Sequence, residues 1–335
     1  MRRCLVALLC SAMVTAVAAC GDDTPATVRL VTYDSFPTKD TPLNTALAEF
    51  TADTGIRVEI VVAGDAGTMV TKAALTAGNP EGDVMWGVDN TLLSAATDAT
   101  LFEGTPTEVD HGDVCVNYDI AWFAEQGLQP PATLDDLTQP QYRDLLVVQD
   151  ATTSSPGLAF LLATVARYGA EGWQQYWTDL MANGAEVVDS WSTAYYERFS
   201  GAAGSEGDRP LVVSYGTSPP AEVVFSDPPI DPATGEAPTG VAEGTCFRQV
   251  EYAGVLRGTD HAGEARRLLE FLTGERFQRE LPLTLFVYPA NPRVELPEVF
   301  TRFAVSPDEP YSLDPATIEA NRATWQQQWA DIAIG

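Results

Sequence analysis

Short apolar runs alternate with amphipathic segments along the first third of the chain. Residues 27–32, 57–63 and 83–87 have the length and side-chain types of strands, whereas residues 43–54 and 67–77 show the apolar spacing of helices. Strands that alternate with helices predict an α/β fold with a mostly parallel sheet. In such sheets, ligands bind at the carboxyl ends of the strands.

The same alternation resumes after Cys115. Residues 145–149 predict a strand, and the segment TSSPG then opens a helix over residues 158–168. Ser155 is expected to cap that helix, because Pro156 fits the first helical position. Further strands are predicted at residues 113–118 and 245–255, and further helices at residues 262–273 and 315–334.

Two segments show neither a helical nor a strand pattern. Residues 201–210 and 227–244 are rich in Gly, Pro and acidic residues, a composition that is typical of exposed loops. For both segments, a plain surface insertion is favoured over a segment that covers a cleft.

Polar residues follow the predicted strands of the first series. Tyr33, Asp34 and Ser35 come after the first strand, Asp65 after the second and Asp89 after the third. A carboxylate at such a position could balance a positive charge or accept a hydrogen bond from an amine. Asp89 is also placed to cap the turn that follows it.

Aromatic residues are concentrated between residues 189 and 220. Trp191, Tyr195 and Tyr196 fall within one and a half helical turns, and Tyr215 stands where an apolar run breaks into a Ser/Thr/Pro turn. Flat aromatic faces with a few hydroxyl groups are what a small, flat organic ligand requires.

The net charge narrows the choice of partner. The formal net charge is −28 at pH 7, which argues against nucleic acid and anionic lipid surfaces and favours a cationic small molecule. With 335 residues, the chain is longer than one hydrophobic core usually supports, so two domains are expected.

The N-terminus has the pattern of a secretory signal peptide. Residues 1–19 contain a basic start and an apolar stretch, and small residues precede Cys20. This junction resembles a bacterial lipobox, in which Cys20 would be lipidated and residues 20–26 would form a tether. The protein is therefore expected to be exported and anchored to the outer face of the cell membrane, with no membrane contact except the lipid.

Two cysteines remain beyond Cys20. Cys115 and Cys246 each lie in a strand-like run. As an even pair in an oxidising compartment, they are expected to form a disulfide that ties the chain's exit from one lobe to its return. The cysteine spacing contains no metal-ligand motif, and we expect neither a metal nor a cofactor.

Six short motifs lie along the chain: YDSF (33–36), GVDN (87–90), TSSPG (153–157), WSTAY (191–195), SYGTSP (214–219) and YPAN (288–291). They follow the order found in thiamine-binding periplasmic proteins, the solute-binding subunits of thiamine ABC importers. The chain resembles that family from about residue 28 to residue 329.

The resemblance implies a two-lobed, type II periplasmic-binding-protein fold with a hinge of crossing strands. Lobe 1 would comprise residues 27–112 and 248–335, and lobe 2 would comprise residues 113–247. A return of the C-terminal helices from lobe 1 to lobe 2 stays open. The implied function is capture of thiamine or its phosphates by a monomer, and delivery to an ABC permease. An enzyme is not expected, since His111 and His261 are the only imidazoles and lack a catalytic constellation.

The resemblance also implies a set of ligand-binding residues. Aromatic walls around the thiazolium cation would come from Tyr33, Trp191, Tyr195 and Tyr215. Carboxylates would come from Asp34, Asp65 and Asp89, and the hydroxyethyl or phosphate end would contact Ser154, Ser155, Ser214, Thr217 and Ser218. The remaining expected contacts are Ser35, Gly67, Phe286, Tyr288 and Asn291.

Three positions depart from the family pattern. His111 stands where members have the Tyr of a DYG motif, Phe286 replaces a Trp ahead of the YP motif, and residues 37–40 lack an expected aromatic. A pyrimidine precursor of thiamine therefore stays open as the ligand. So does ferric iron, because the adjacent Tyr195 and Tyr196 resemble the phenolate ligands of iron-binding relatives with the same fold.

Overall fold

The computed structural model describes residues 26–335. The predicted signal peptide, the lipidation site Cys20 and nearly all of the tether lie outside the described residues. Among the described residues, no helix combines the length and the apolar character needed to cross a bilayer.

One continuous sheet of nine strands runs through the molecule. The strands are β1 (Thr27–Thr32), β2 (Arg57–Val62), β3 (Val84–Asp89), β4 (Thr107–Asp119), β5 (Leu146–Gln149), β6 (Glu186–Val188), β7 (Leu211–Tyr215), β8 (Thr239–Val255) and β9 (Tyr288–Pro289). Their order is β2-β1-β3-β8-β4-β7-β5-β6, with β9 paired to β4. We call the half built on β1, β2 and β3 lobe 1, and the half built on β5, β6 and β7 lobe 2.

Helices cover the faces of both lobes. They are α1 (Pro42–Thr54), α2 (Ala66–Leu75), α3 (Leu93–Asp98), α4 (Ile120–Gln126), α5 (Ser155–Ala182), α6 (Pro219–Val224), α7 (Ala262–Leu272), α8 (Glu275–Gln278), α9 (Leu281–Thr284), α10 (Glu298–Phe303) and α11 (Pro315–Ala333). Two 3-10 segments, Leu134–Thr138 and Pro140–Tyr142, precede β5, and a π-helix spans Thr193–Arg198.

Local signals place the first helix as the sequence predicts. Thr41 caps α1 in a reciprocal capping box with Asn44, Pro42 occupies the first turn, and Gly55 ends the helix in a left-handed conformation with φ of 71°. Between α1 and the neighbouring helices, β3 is buried at every position. The alternation of strands and helices around these elements confirms the predicted α/β class. The expectation of a mostly parallel sheet was wrong, because the sheet is mixed: β1, β2 and β3 pair parallel in lobe 1 and β5, β6 and β7 in lobe 2, whereas every pairing of β4 and β8 is antiparallel.

The strands β4 and β8 cross from one lobe to the other. They pair antiparallel along most of their length, with register shifts between Glu108 and Asp110 and between Val114 and Val116. Both strands begin earlier than predicted, at Thr107 and Thr239 instead of at residues 113 and 245. The crossing strands confirm the hinge arrangement of the predicted fold.

Each lobe has its own apolar core. In lobe 1, Trp86 is buried against Phe36 and Phe277, with ring centroids 6.3 and 5.6 Å apart. In lobe 2, Phe160 and Trp177 pack edge to face on α5, with centroids 5.7 Å apart. Burial of such large apolar side chains supplies most of the free energy that stabilises each lobe.

The C-terminal helix packs on lobe 2. Trp329 on α11 meets Trp177 on α5 edge to face with a centroid distance of 5.5 Å, and Gln326 donates a hydrogen bond to the Ala151 carbonyl at 2.7 Å. The chain thus returns from lobe 1 to the face of α5.

Two local predictions differ from the structure. Ser154, not Ser155, occupies the N-cap of α5, and no side-chain cap bond forms there. The helix extends far beyond Tyr168, and it breaks at Gly169, where φ is 71° and ψ is 177°. Glycine tolerates that conformation, which explains why two helical pieces meet at this residue.

A disulfide joins β4 to β8 inside lobe 2. Cys115 and Cys246 are linked, with their Cα atoms 4.1 Å apart. Two pairs of residues earlier in register, the Arg248 guanidinium contacts the buried Asp113 carboxylate at 2.6 Å. Both interactions hold the crossing strands together at the point where they enter lobe 2.

Reduction of this disulfide should lower the thermal stability. The bond closes a segment of 131 residues, and loop-closure entropy assigns about 5 kcal/mol of stabilisation to a loop of that size. We expect a reductant to lower Tm by about 5 °C or more, measured by circular dichroism. The same reductant should leave Tm unchanged in the Cys115→Ala/Cys246→Ala variant, and an unchanged Tm in the native protein would contradict the prediction.

Candidate functional site

A cleft of about 1200 Å³ opens between the two lobes. Lobe 1 contributes the turn after β1, the start of α2 and the segment before β9. Lobe 2 contributes the start of α5, the π-helix, the end of β7 and α6. Its lining includes Tyr33, Asp34, Ser35, Pro37, Asp65, Ser155, Trp191, Tyr195, Tyr196, Tyr215, Ser218, Glu222, Phe225, Asp227, Glu251 and Phe286.

An aromatic wall stands on the lobe 2 side. Trp191 stacks on Tyr195 with centroids 4.9 Å apart and an interplanar angle of 17°. Its indole N–H donates to the Ser214 hydroxyl at 3.0 Å, and that hydroxyl lies 2.9 Å from the hydroxyl of Ser218. The indole plane is therefore held in place, and Tyr215 lies beside it with a centroid distance of 6.4 Å.

Tyr33 faces this wall from lobe 1. Its ring packs over the backbone of Gly87, where a Cβ atom would lie 2.3 Å from the ring. Gly87 also has a φ of 103°, a conformation that only glycine adopts readily. The phenol sits at the end of β1 and meets Phe36 edge to face.

The charges in the cleft all have one sign. Its lining contains five carboxyl groups, those of Asp34, Asp65, Glu222, Asp227 and Glu251, and none of the described lining residues is Lys, Arg or His. Carboxylates gathered around a partly desolvated cleft create a negative potential that attracts a cation.

Asp65 connects the two lobes. One of its carboxylate oxygens accepts from the Ala66 N–H at 2.6 Å and caps α2, and it also accepts from the Ser155 N–H at 3.4 Å. The other oxygen accepts from the Trp191 N–H at 3.1 Å. The pKa of Asp65 is raised to about 6, mainly by burial. The hydrogen bond from Trp191 opposes this rise, and the charge of nearby Asp34 adds to it.

Glu222 anchors Tyr195 and the following loop. The phenol of Tyr195 donates to one carboxylate oxygen at 2.7 Å, and the Ala203 N–H donates to the other at 2.6 Å. Burial, followed by the charge of Glu222, raises the pKa of Tyr195 well above its ordinary value. Tyr195 is 2 % exposed, whereas Tyr196 is 57 % exposed, and their rings stand at 85° to each other.

Ten of the residues expected at the site line this one cleft. They are Tyr33, Asp34, Ser35, Asp65, Ser155, Trp191, Tyr195, Tyr215, Ser218 and Phe286. Phe286 lies opposite Phe225, and the two rings meet edge to face across the lobes with centroids 5.7 Å apart.

The other seven expected residues do not line the cleft. Ser214 supports Trp191, as described above, and Ser154 and Thr217 are buried. Tyr288 stacks on His111 with centroids 5.3 Å apart, and Asn291 donates to the Thr273 carbonyl at 3.2 Å.

Gly67 and Asp89 also have structural partners. A Cβ atom on Gly67 would lie 2.5 Å from the Thr153 carbonyl oxygen, so the glycine permits α2 to approach lobe 2 closely. The Asp89 carboxylate accepts from the Thr91 N–H at 2.7 Å and from the Gln249 amide at 2.7 Å. Its expected capping role is therefore present in the structure.

Sequence reasoning did not single out Glu222, Phe225, Asp227 or Glu251, all four of which line the cleft. Glu222, Phe225 and Asp227 come from α6 and from the loop after it, and that loop lines the cleft together with Ile230. The interpretation of residues 201–210 and 227–244 as plain surface insertions was therefore wrong where the two segments line the cleft. The lining residues are Gly201, Ala203 and Gly204 in the first segment and Asp227, Pro228, Ile230 and Pro238 in the second. Glu251, the fourth, left a signal, since it is an acidic residue inside an otherwise strand-like run.

A hinged pair of lobes around an aromatic, acidic cleft defines a binding protein for small molecules. Residues 34–279 match the family of bacterial extracellular solute-binding proteins, and the chain belongs to that family. This match confirms the predicted solute-binding class.

Individual relatives are similar over nearly the whole chain. A thiamine-binding periplasmic protein of Escherichia coli (strain K12) is 27% identical and covers 98% of each chain. One of Salmonella typhimurium (strain LT2) is 29% identical over 89% of this chain and 90% of the relative. The solved structure of a periplasmic thiamin binding protein superimposes with a TM-score of 0.79 at 25% identity, covering 93% of this chain and 98% of that one. These relatives confirm the resemblance in sequence and the type II fold.

Replacement of Asp65 by Asn should change how stability depends on pH. Because the pKa of Asp65 is raised to about 6 in the folded protein, its contribution to stability is greatest in acid and is lost as pH rises through that value. Relative to Asp65→Asn, the unfolding free energy of the native protein should rise by about 1 kcal/mol between about pH 7.5 and about pH 5. Urea titrations at both pH values measure this difference.

Asp314→Asn is the matched control, because Asp314 caps α11 from an exposed position. The unfolding free energy of this control should change with pH in the same way as that of the native protein. A difference between native protein and Asp65→Asn that stays constant with pH would show that Asp65 does not titrate in this range.

Proposed function

We propose that the protein is a lipid-anchored, extracytoplasmic solute-binding protein that captures thiamine and delivers it to an ABC permease. The observation that carries the proposal is the cleft itself, which brings Tyr33, Trp191 and Tyr215 together with five carboxyl groups. Within the part of the chain that the structure describes, no Lys, Arg or His lines the cleft. The names of the similar proteins support the same ligand.

The chemistry of the cleft matches each part of thiamine. The thiazolium ring carries a permanent positive charge, which aromatic faces attract by about 0.5 to 2 kcal/mol each. The aminopyrimidine is flat, and its amine can donate a hydrogen bond to a carboxylate such as that of Asp34. A phenol, an indole and hydroxyl groups line the remaining surface.

The rest of the proposed biology follows from the sequence and the family. The pattern before Cys20 supports export and lipidation, and family membership supports work with a permease. Binding and closure about the hinge require no bond to be made or broken, so we propose a monomeric carrier without catalytic activity and without a cofactor.

Ferric iron is not favoured by the geometry of the two adjacent tyrosines. The phenol of Tyr195 is already engaged with Glu222, and burial raises the pKa of both Tyr195 and Tyr196, which disfavours the phenolates that iron requires. Within the described residues, no cluster of three or more His, Cys, Asp or Glu side chains could hold a metal ion.

Thiamine should quench the fluorescence of the native protein, because the cation would stack on the Trp191 indole. Trp191→Ala should bind thiamine about 10- to 100-fold more weakly, since it loses the cation–π face and the packing of the indole. Trp191→Phe, which keeps an aromatic face, should lose less affinity while the quenching falls away.

Trp122→Phe is the control for the quenching experiment. Trp122 is partly buried on α4, beside Phe123, and does not belong to the cleft lining, so both quenching and affinity should match those of the native protein. Absence of any binding by the native protein at high micromolar thiamine would refute the proposed ligand, and equal affinity in Trp191→Ala would refute the proposed wall.

Phosphorylation of the ligand should weaken binding. Each phosphate brings negative charge to a cleft that is lined by five carboxyl groups and, among the residues that the structure describes, by no basic side chain. Like charges repel strongly where water is partly excluded. We expect thiamine to bind more tightly than its monophosphate and at least about 10-fold more tightly than its diphosphate. Calorimetric titration with the three ligands ranks them, and a tighter diphosphate would show that the backbone amides at the start of α5 dominate instead.

A further inference from the structure

Three acidic residues stand side by side on the neighbouring strands β3, β8 and β4, and the middle one, Glu251, lines the cleft. In register, Asp89 on β3 pairs with Glu251 on β8, and Glu251 pairs with Asp110 on β4. Residues directly opposite each other in a sheet point to the same face, so these carboxyl groups form one row. The row lies next to Pro289 of β9, which pairs with Asp110.

Hydrogen bonding divides the row into two parts. The oxygens of Asp89 accept four hydrogen bonds, from Thr91, Leu92 and Gln249. Asp110 is 1 % exposed and neither of its oxygens has a partner among the described residues. Glu251 is 7 % exposed, one of its oxygens is buried without a partner there, and its side chain lines the cleft.

A buried carboxylate without hydrogen bonds or a counter-ion is too costly to persist. The charged and titratable groups around the pair offer no compensation, since each of them is acidic or phenolic: Glu108 on β4, Asp89 on β3, Asp65 at the start of α2, Tyr33 after β1 and Tyr215 on β7. The imidazole of the adjacent His111 stacks on Tyr288 instead. A proton is the remaining source of positive charge in the empty cleft.

We propose that Asp110 and Glu251 share a proton in the empty cleft and that a bound organic cation takes its place, so that Glu251 is the counter-ion of the ligand. The exchange balances in charge, because one monovalent cation enters as one proton leaves for the solvent. Asp110 is the positioning residue behind Glu251, and it touches no ligand itself.

The shift in proton affinity has the sign that this exchange needs. Burial, followed by the charge of Asp110, raises the pKa of Glu251 well above its ordinary value, and burial does the same for Asp110. A cation beside the pair lowers the pKa again. At a pH between the pKa of the pair in the free protein and its pKa in the complex, binding releases up to one proton. In that range the affinity for the cation rises by up to tenfold for each unit of increasing pH.

Proton release can be counted by calorimetry. Thiamine is titrated at one pH in two buffers whose ionisation enthalpies differ widely, and the difference in observed heat gives the protons released. We expect close to one proton per thiamine for the native protein, and almost none for Glu251→Gln or Asp110→Asn. A quaternary N-methylthiazolium, which has no aminopyrimidine to titrate, should release the same proton and so excludes the ligand as its source.

Glu243→Gln provides the matched control. Glu243 lies on the same strand β8 but is exposed, so its loss should leave the proton count unchanged. Equal heats in both buffers for the native protein would overturn the proposal, and so would a release that persists in both Glu251→Gln and Asp110→Asn.

A second measurement needs no ligand. Infrared difference spectra between the empty native protein and the Asp110→Asn/Glu251→Gln double variant at neutral pH should contain the carbonyl band of a protonated carboxylic acid. The absence of this band would overturn the proposal even if thiamine does not bind. The inference rests on the proposed function only for the identity of the cation, and failure of thiamine to bind would refute that function while leaving the infrared result to decide on the shared proton.

Discussion

The pairing of β4 with β8 is the interaction on which the rest of the structure depends. These strands are the backbone connection that spans both lobes within one sheet, and their hydrogen bonds set where each lobe can place its ligand-facing residues. On the lobe 2 side, β4 also pairs with β7 and thereby positions Tyr215. On the lobe 1 side, the same pairing holds Asp110 against Glu251. A slip of one residue would turn both sets of side chains to the other face.

The burial of acidic groups is the second constraint, and it conflicts with stability. Asp65, Asp110 and Glu251 are all buried, and burial raises the pKa of each. A protein selected for stability alone would place apolar residues there, because these are cheaper to bury. The cost is concentrated in the cleft, which is where a cationic ligand can offset it.

Local pattern predicted the fold well wherever an element depends on its own sequence. The bounds of β1 agree with the prediction at both ends, since a short apolar run between turn residues specifies a strand by itself. The starts of β4 and β8 were missed for a physical reason. Acidic residues such as Glu108 and Asp110 interrupt the apolar pattern there, and the strands are held by long-range pairing to each other.

The same distinction explains which residues of the candidate site could be predicted. Trp191 and Tyr195 are close in sequence, so their grouping was visible without a structure. Glu251 reaches the cleft only because β8 pairs with β3 and β4. Motif resemblance marked Asn291 and Tyr288 as contacts, but it could not show that their side chains are turned to Thr273 and His111.

Charge can also couple occupancy to closure. Asp34, Asp65 and Glu251 project from the lobe 1 side, whereas Glu222 and Asp227 belong to lobe 2. Closing an empty cleft brings like charges together while water is expelled, which raises their repulsion. A cation between them changes the sign of that interaction, because each lobe is then attracted to the ligand. The hydrogen bond from the Trp191 N–H to Asp65 is stronger when the carboxyl group is ionised, and a bound cation favours the ionised form. Ligand charge and the interlobe hydrogen bond therefore stabilise the same closed arrangement.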